Sequence, residues 1–161
     1  MQIETTKKRL EVSGFQLDDD AVAEIGPWMR WSTSLCALFM ILGTVLASPW
    51  VLWALAITAF AGSVLPNHPF DYGYNHGVRH ITKTRPLPAN TPARKFACGL
   101  ATVWLTATGL AFFLGANTVG YVLGALLASV AGLVSITHIC IPSMIYNALF
   151  GVKPRETAEA R

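Results

Sequence analysis

From Trp31 to Phe70, and again from Phe96 to Val152, the chain carries no Asp, Glu, Lys or Arg. The apolar positions in these stretches do not alternate with period two. The runs are also too long for membrane strands of about ten residues. They read as helices, and a helix that crosses a bilayer needs about 20 residues at 1.5 Å each. Local punctuation divides them. Pro27, Pro49 and Pro92 each stand where a helix opens, a position at which the missing N–H costs nothing. Ser48 and Thr91 precede two of them as N-caps. Pro66 stops the second span, residues 115–118 make a turn, and Pro142 kinks the end of the fourth. The pattern predicts spans over 27–47, 49–65, 92–114 and 119–141, the last with a kinked extension to 150. The expected fold is all-α, an integral membrane four-helix bundle. Its parts are an N-terminal arm (1–26), a membrane domain (27–151) with a central loop (66–91), and a tail (152–161).

Charge then gives direction. The chain has 12 basic and 9 acidic residues in 161, and all of them lie in or beside the arm, the central loop and the tail. Lys7, Lys8, Arg9 and Arg30 sit in or beside the arm. Arg79, Lys83, Arg85, Arg94 and Lys95 sit in or beside the loop, against a single acid, Asp71. Lys153, Arg155 and Arg161 sit in the tail. Basic residues mark the cytoplasmic side, so both termini and the loop are expected there, in a bacterial inner membrane. Residues 1–30 are polar and do not read as a secretory signal peptide. A soluble domain cannot hide so much uncharged chain, because it buries only about 70% of its unfolded surface. An ordinary soluble globular protein, a disordered chain and a nucleic-acid-binding module are thereby excluded, and the lipid bilayer is the first partner.

Lipid tails are as apolar as leucine, so close packing through small residues must contribute much of the association between spans. Gly120, Gly124, Ala128 and Gly132 form a stripe at four-residue spacing, and Ala54, Thr58 and Gly62 form another. Both are expected to be helix-packing faces, toward a neighbour in the chain first, and toward a protein partner or second copy otherwise.

The central loop holds the richest chemistry. A helix from Phe70 to Ile81 would gather Phe70, Tyr74, Val78 and Ile81 on one face, an amphipathic helix lying on the inner membrane surface. Asp71, Asn75 and Arg79 would form a polar ridge at its side, and His76 and His80 would share a third face. Two histidines at i and i+4 can ligate one metal ion. His68 follows the second span directly, and His138 lies near the inner end of the fourth. All four histidines therefore reach one membrane face, as do Cys36, Cys98 and Cys140. An ionisable group within a span is costly and is a functional candidate by default, which singles out His138. The histidines are candidate ligands of a metal ion or haem, with no cofactor as the leading expectation, and Cys140 is a candidate reactive thiol. Cytoplasmic thiols are normally reduced, so no structural disulfide is expected.

The span layout and the ending Thr137-His138-Ile139-Cys140-Ile141-Pro142-Ser143-Met144-Ile145-Tyr146 resemble a family of small bacterial membrane proteins, the domain of unknown function numbered 4395. The resemblance covers residues 25–150 and rests on Cys140, Tyr146 and the layout. Family members often end in a Phe-Cys-Leu-Gly-Cys-x-x-Tyr-like stretch, whose second cysteine falls on Ser143 here. A dithiol of that form is therefore not carried over. The resemblance implies no established activity and points only toward sulfur or thiol metabolism.

Three functional expectations follow. The first is a non-enzymatic accessory or assembly subunit of a larger membrane complex, because no carboxylate lies in the spans to relay protons or coordinate a cation. The second is a redox or metal- or haem-binding membrane protein with its site at the cytoplasmic face. The third is a small oligomeric transporter of sulfur-containing compounds.

Overall fold

The computed structural model describes residues 2–137 and 139–150. Every regular element among them is helical. The order is α1 (Gln2–Val12), α2 (Asp19–Ile25), a 3-10 turn (Trp28–Arg30) that runs into α3 (Trp31–Val45), α4 (Pro49–Val64), α5 (Pro69–Gly73), a π-helical turn (Tyr74–Val78), α6 (Arg79–Thr82), α7 (Pro92–Phe113), α8 (Asn117–Thr137) and α9 (Ile141–Phe150).

The stops and starts have local causes. At the end of α7 the chain enters the left-handed region at Gly115, φ +76°. There the Ala116 N–H bonds the Ala111 carbonyl (2.9 Å) and the Gly115 N–H bonds that of Phe112 (3.1 Å), the two bonds of a Schellman motif. The end of α3 repeats it with Ala47 at φ +46°, where the Ser48 N–H bonds the Gly43 carbonyl and the Ala47 N–H that of Thr44. Thr91 caps α7 by accepting the Arg94 N–H. Ser48 occupies the matching place before α4, but its side chain makes no cap bond.

Two helices, α7 and α8, are long and apolar enough to cross a membrane. A third candidate is α4 joined to the α5–α6 segment, which bends by 82° at the break. At 1.5 Å per residue, α3 and α4 reach only about 22–24 Å, short of the roughly 30 Å hydrocarbon core. The fold is thus all-α with two to three candidate spans. The fourth helix also ends earlier than expected. It stops at Thr137 rather than Ile141, and Pro142 falls in the first turn of α9, where a proline is tolerated.

The helices build two cores. In one, α7 packs along α4, and α8 packs on α3 and α7, enclosing Met40, Leu52, Leu55, Ala59, Leu105 and Phe112. The other lies at one end of the bundle, where the arm folds back. Leu10, Phe15, Val22, Ile25 and Met29 close over Tyr74 and Leu87. Polar ties fasten it there. Arg9 Nη1 donates to the Thr137 carbonyl (2.7 Å), Asn147 Nδ2 to that of Val12 (2.7 Å), and Thr91 Oγ1 to that of Ser13 (2.5 Å). Arg85 pairs with Glu24 at 3.1 Å. The arm, the central loop and α9 therefore meet at the same end of the molecule.

The apolar face of the loop helix differs from expectation. Phe70 and Val78 are half-buried and Tyr74 fully buried, but Ile81 is 84% exposed. The π turn explains this. An extra residue in a helical turn shifts the facing of everything after it, so the apolar face does not continue to Ile81.

Candidate functional site

At the end of the bundle closed by the arm, α3, α4, α7, α8 and α9 leave a cavity of about 270 Å³. Its walls are mostly aliphatic, with Met40, Leu55, Leu105, Leu127 and Val134 among them, and Trp104 at the side. All three cysteines line it: Cys36 from α3, Cys98 from α7, and Cys140 from the break before α9. None is in a disulfide. Cys98 lies within electrostatic range of both of the others.

His68 is built into the wall by its backbone role. It is the N-cap of α5, and its Nδ1 accepts the Phe70 N–H at 3.3 Å. A ring nitrogen that accepts carries no proton, so the neutral imidazole holds its proton on Nε2. That Nε2 faces Cys36 Sγ at 3.9 Å. The Cδ2 side of the ring lies on Gly62, where any Cβ would collide with the imidazole. Asn90 in turn holds this strip in place by donating to the Gly62 carbonyl (2.9 Å). Burial pushes the His68 pKa down to about 4, the positive charge of Arg94 adds to the fall, and Asp71 opposes it. Protonation would also set an Nδ1–H against the Phe70 N–H. His68 is thus a neutral donor aimed at a sulfur.

A buried ion pair flanks the histidine. Arg94 Nη2 lies 3.1 Å from Asp71 Oδ2, with the aspartate side chain fully buried and the arginine 14% exposed. The same Nη2 meets Ser32 Oγ at 2.5 Å, and the guanidinium lies over the Phe15 ring at 5.8 Å. The pair holds by charge rather than by an aligned bond. Neither carboxylate oxygen of Asp71 has a hydrogen-bond donor among the described residues.

The residues singled out by sequence distribute as follows. His68 reaches the cavity. His76 is exposed, its Nδ1–H donating to the Tyr72 carbonyl (2.9 Å). His80 is exposed as well. His138 lies outside the described residues. Among the described residues, no three of His, Cys, Asp and Glu are grouped so as to hold a metal ion. Cys140 is a lining residue. The polar ridge does not form as a unit. Asp71 turns inward to Arg94, while Asn75 clamps the Leu87 backbone through both amide atoms. Arg79 opens α6.

Along the small-residue stripes, Gly120 lies on the Phe112 ring and Gly124 on Thr44. Ala128 packs on the main core, and Gly132 has nothing within 4 Å. In α4, Ala54 is exposed, Thr58 bonds the Leu55 carbonyl, and Gly62 backs His68. Sequence reasoning missed Arg94 and Ser32. The available signal was Asp71, a lone acid in a basic loop beside a charge-free span, which needs a buried cation if it is itself buried.

No curated protein matches this chain, and no solved structure matches it. The family model of the domain of unknown function DUF4395 matches residues 27–150, which is most of the chain, and the protein therefore belongs to that family.

Proposed function

We propose that this is a four-span protein of the bacterial inner membrane, with both termini in the cytoplasm, whose cytoplasmic-end cavity carries thiol redox chemistry. The observation that carries the reading is the convergence of Cys36, Cys98 and Cys140, from three separate segments, on one apolar cavity beside His68. A cysteine alone is commonly a small apolar filler, but fillers have no reason to meet. The four-span topology is supported by the 3-10 turn that lengthens α3 to residues 28–45, and by the meeting of arm, loop and α9 at one basic end. The redox step is the loss of two electrons and two protons from two thiols, which join as a disulfide.

Alkylation with mass detection tests this on the purified protein in mild detergent. Two of the three thiols are expected to disappear on mild oxidation by oxidised glutathione and to return with reductant. Cys98→Ser is expected to abolish the change. Three thiols that stay alkylatable throughout would overturn the reading.

The accessory-subunit reading keeps one observation in its favour, the open face at Gly132. Gly120 and Gly124 already pack within the chain. A partner that co-purifies with the native protein and is lost in Gly132→Leu would support it.

A further inference from the structure

We propose that the cavity binds a neutral quinone, its ring toward Arg94 and His68 and its tail among the aliphatic walls, and that this quinone accepts the electrons of the thiols. The binding half rests on the cavity itself, and the electron-transfer half rests on the thiol redox reading above.

Three features select the ligand. The aliphatic walls favour an apolar molecule that arrives from the membrane. The polar end offers donors: His68 holds its proton on Nε2, and Arg94 commits only Nη2 to Asp71 and Ser32 among the described residues. Such an end suits a ligand with acceptor oxygens. The charge there is already balanced among the described residues, because Asp71 is the counterion of Arg94 and no other described Asp, Glu, Lys or Arg lines the cavity. A carboxylate or phosphate would bring an unpaired charge into an apolar site, which is costly. An uncharged head with carbonyl oxygens meets the donors without that cost. Among such heads, a quinone is the class that can also oxidise the thiols it touches.

The step balances. Two thiols give two electrons and two protons, the S–S bond forms, and the quinone leaves as quinol. Cys98 is the member we take as common to either pairing, since it lies within electrostatic range of both Cys36 and Cys140 and all three line the one cavity. The Nε2–H of His68 bonds a quinone oxygen or the Cys36 sulfur, so it can steady negative charge on either during the transfer.

The test is a titration of the full chain in detergent with decylubiquinone. Trp104 lines the cavity and is held by the bond from its Nε1 to the Leu123 carbonyl (3.1 Å), so a bound quinone should quench it. We expect saturable quenching whose saturable part vanishes in Trp104→Phe. Arg94→Gln should weaken the apparent affinity by about tenfold, the loss of one charge-assisted hydrogen bond. Under anaerobic conditions the reduced protein should yield one quinol per two thiols lost. Cys98→Ser should keep the quenching and lose the quinol. Thiols that cycle with oxidised glutathione but show no saturable quenching overturn the quinone while leaving the thiol redox reading intact. Quenching without thiol loss to either oxidant overturns electron transfer and the redox reading together, and leaves a quinone-binding cavity.

Discussion

At the end of the bundle near Ser48-Pro49 and residues 115–118, each close approach has a small residue on one side and a larger side chain on the other. An added Cβ at Gly109 would stand 2.5 Å from Trp53 Nε1, and one at Gly120 would stand 2.6 Å from the Phe112 ring. Gly124 lies against Thr44 in the same way. At the opposite end the same helix, α8, carries Gly132 with nothing within 4 Å, and its neighbours Ala131 and Val134 face the cavity. Gly62 at this end is met by the His68 ring, so the contrast lies along α8, where Gly120 and Gly124 are met by a larger side chain and Gly132 is not. A glycine closes a helix pair only where a larger side chain fills the gap it leaves. Where none arrives, the helices leave space. The cavity at this end is walled by other residues of α8, Leu127, Val130, Ala131 and Val134, together with the thiols.

The ion pair should give the largest difference between the ends. Arg94→Met leaves the fully buried Asp71 carboxylate without its counterion, and breaking such a pair costs about 3–5 kcal/mol. Thermal unfolding in detergent should show a large fall in Tm. The double variant Asp71→Leu/Arg94→Met should recover most of it, since apolar replacement of both partners is often neutral or stabilising. A double variant no better than the single would mean that the pair does not hold this end together.

Acid should also act on the cavity end alone. His68 sits near pH 4 in the folded protein, against an ordinary value of 6.5. Between those values the unfolded chain binds a proton that the folded chain does not. Stability is therefore full above pH 6.5, falls as pH drops toward 4, and levels off below. The whole effect is at most about 3 kcal/mol. Tm measured across this window should slope in the native protein, and the slope should shrink in His68→Gln. Among the described residues the tight end carries no Asp, Glu, His, Lys, Arg or Cys, so an unchanged slope would sink the assignment.

These tests also mark where sequence was sufficient. The starts at Pro49 and Pro92 and the turn at 115–118 were legible, because proline and glycine act through the local backbone. The drift of all three cysteines to one face was legible too, because it follows from helix direction alone. The π turn at Tyr74–Val78 was not, since it is set by the burial of Tyr74 against the arm, a contact between distant segments. The same holds for Asp71, which helical periodicity grouped with Asn75 and Arg79. Its true partner, Arg94, is placed by the fold of the loop onto α7. His68 was noticed as a residue near a span end, but its role depends on capping α5 and lying on Gly62, and no spacing rule encodes both.

A middle-sized effect comes from tightening the closed end further. Gly124→Ala forces a methyl into Thr44, a buried β-branched side chain with little room to yield. Overpacking of this kind costs about 1–3 kcal/mol, so Tm should fall while quinone quenching of Trp104 stays. A variant as stable as the native protein would show that α3 and α8 can part at little cost, and the contrast between the ends would lose its basis.

The smallest effect is the same substitution at the other end, with the sign reversed. Gly132→Ala adds a methyl to open space, and alanine is favoured over glycine in a helix by about 1 kcal/mol. Tm should hold or rise slightly. Sizing of the native and Gly132→Ala proteins in detergent separates the two ways this can fail. A fall in Tm together with a loss of apparent mass would mean that a second copy or a partner covers Gly132 in the assembled protein. A fall in Tm with the mass unchanged would mean that α8 closes onto its neighbours at both ends, which would remove the comparison.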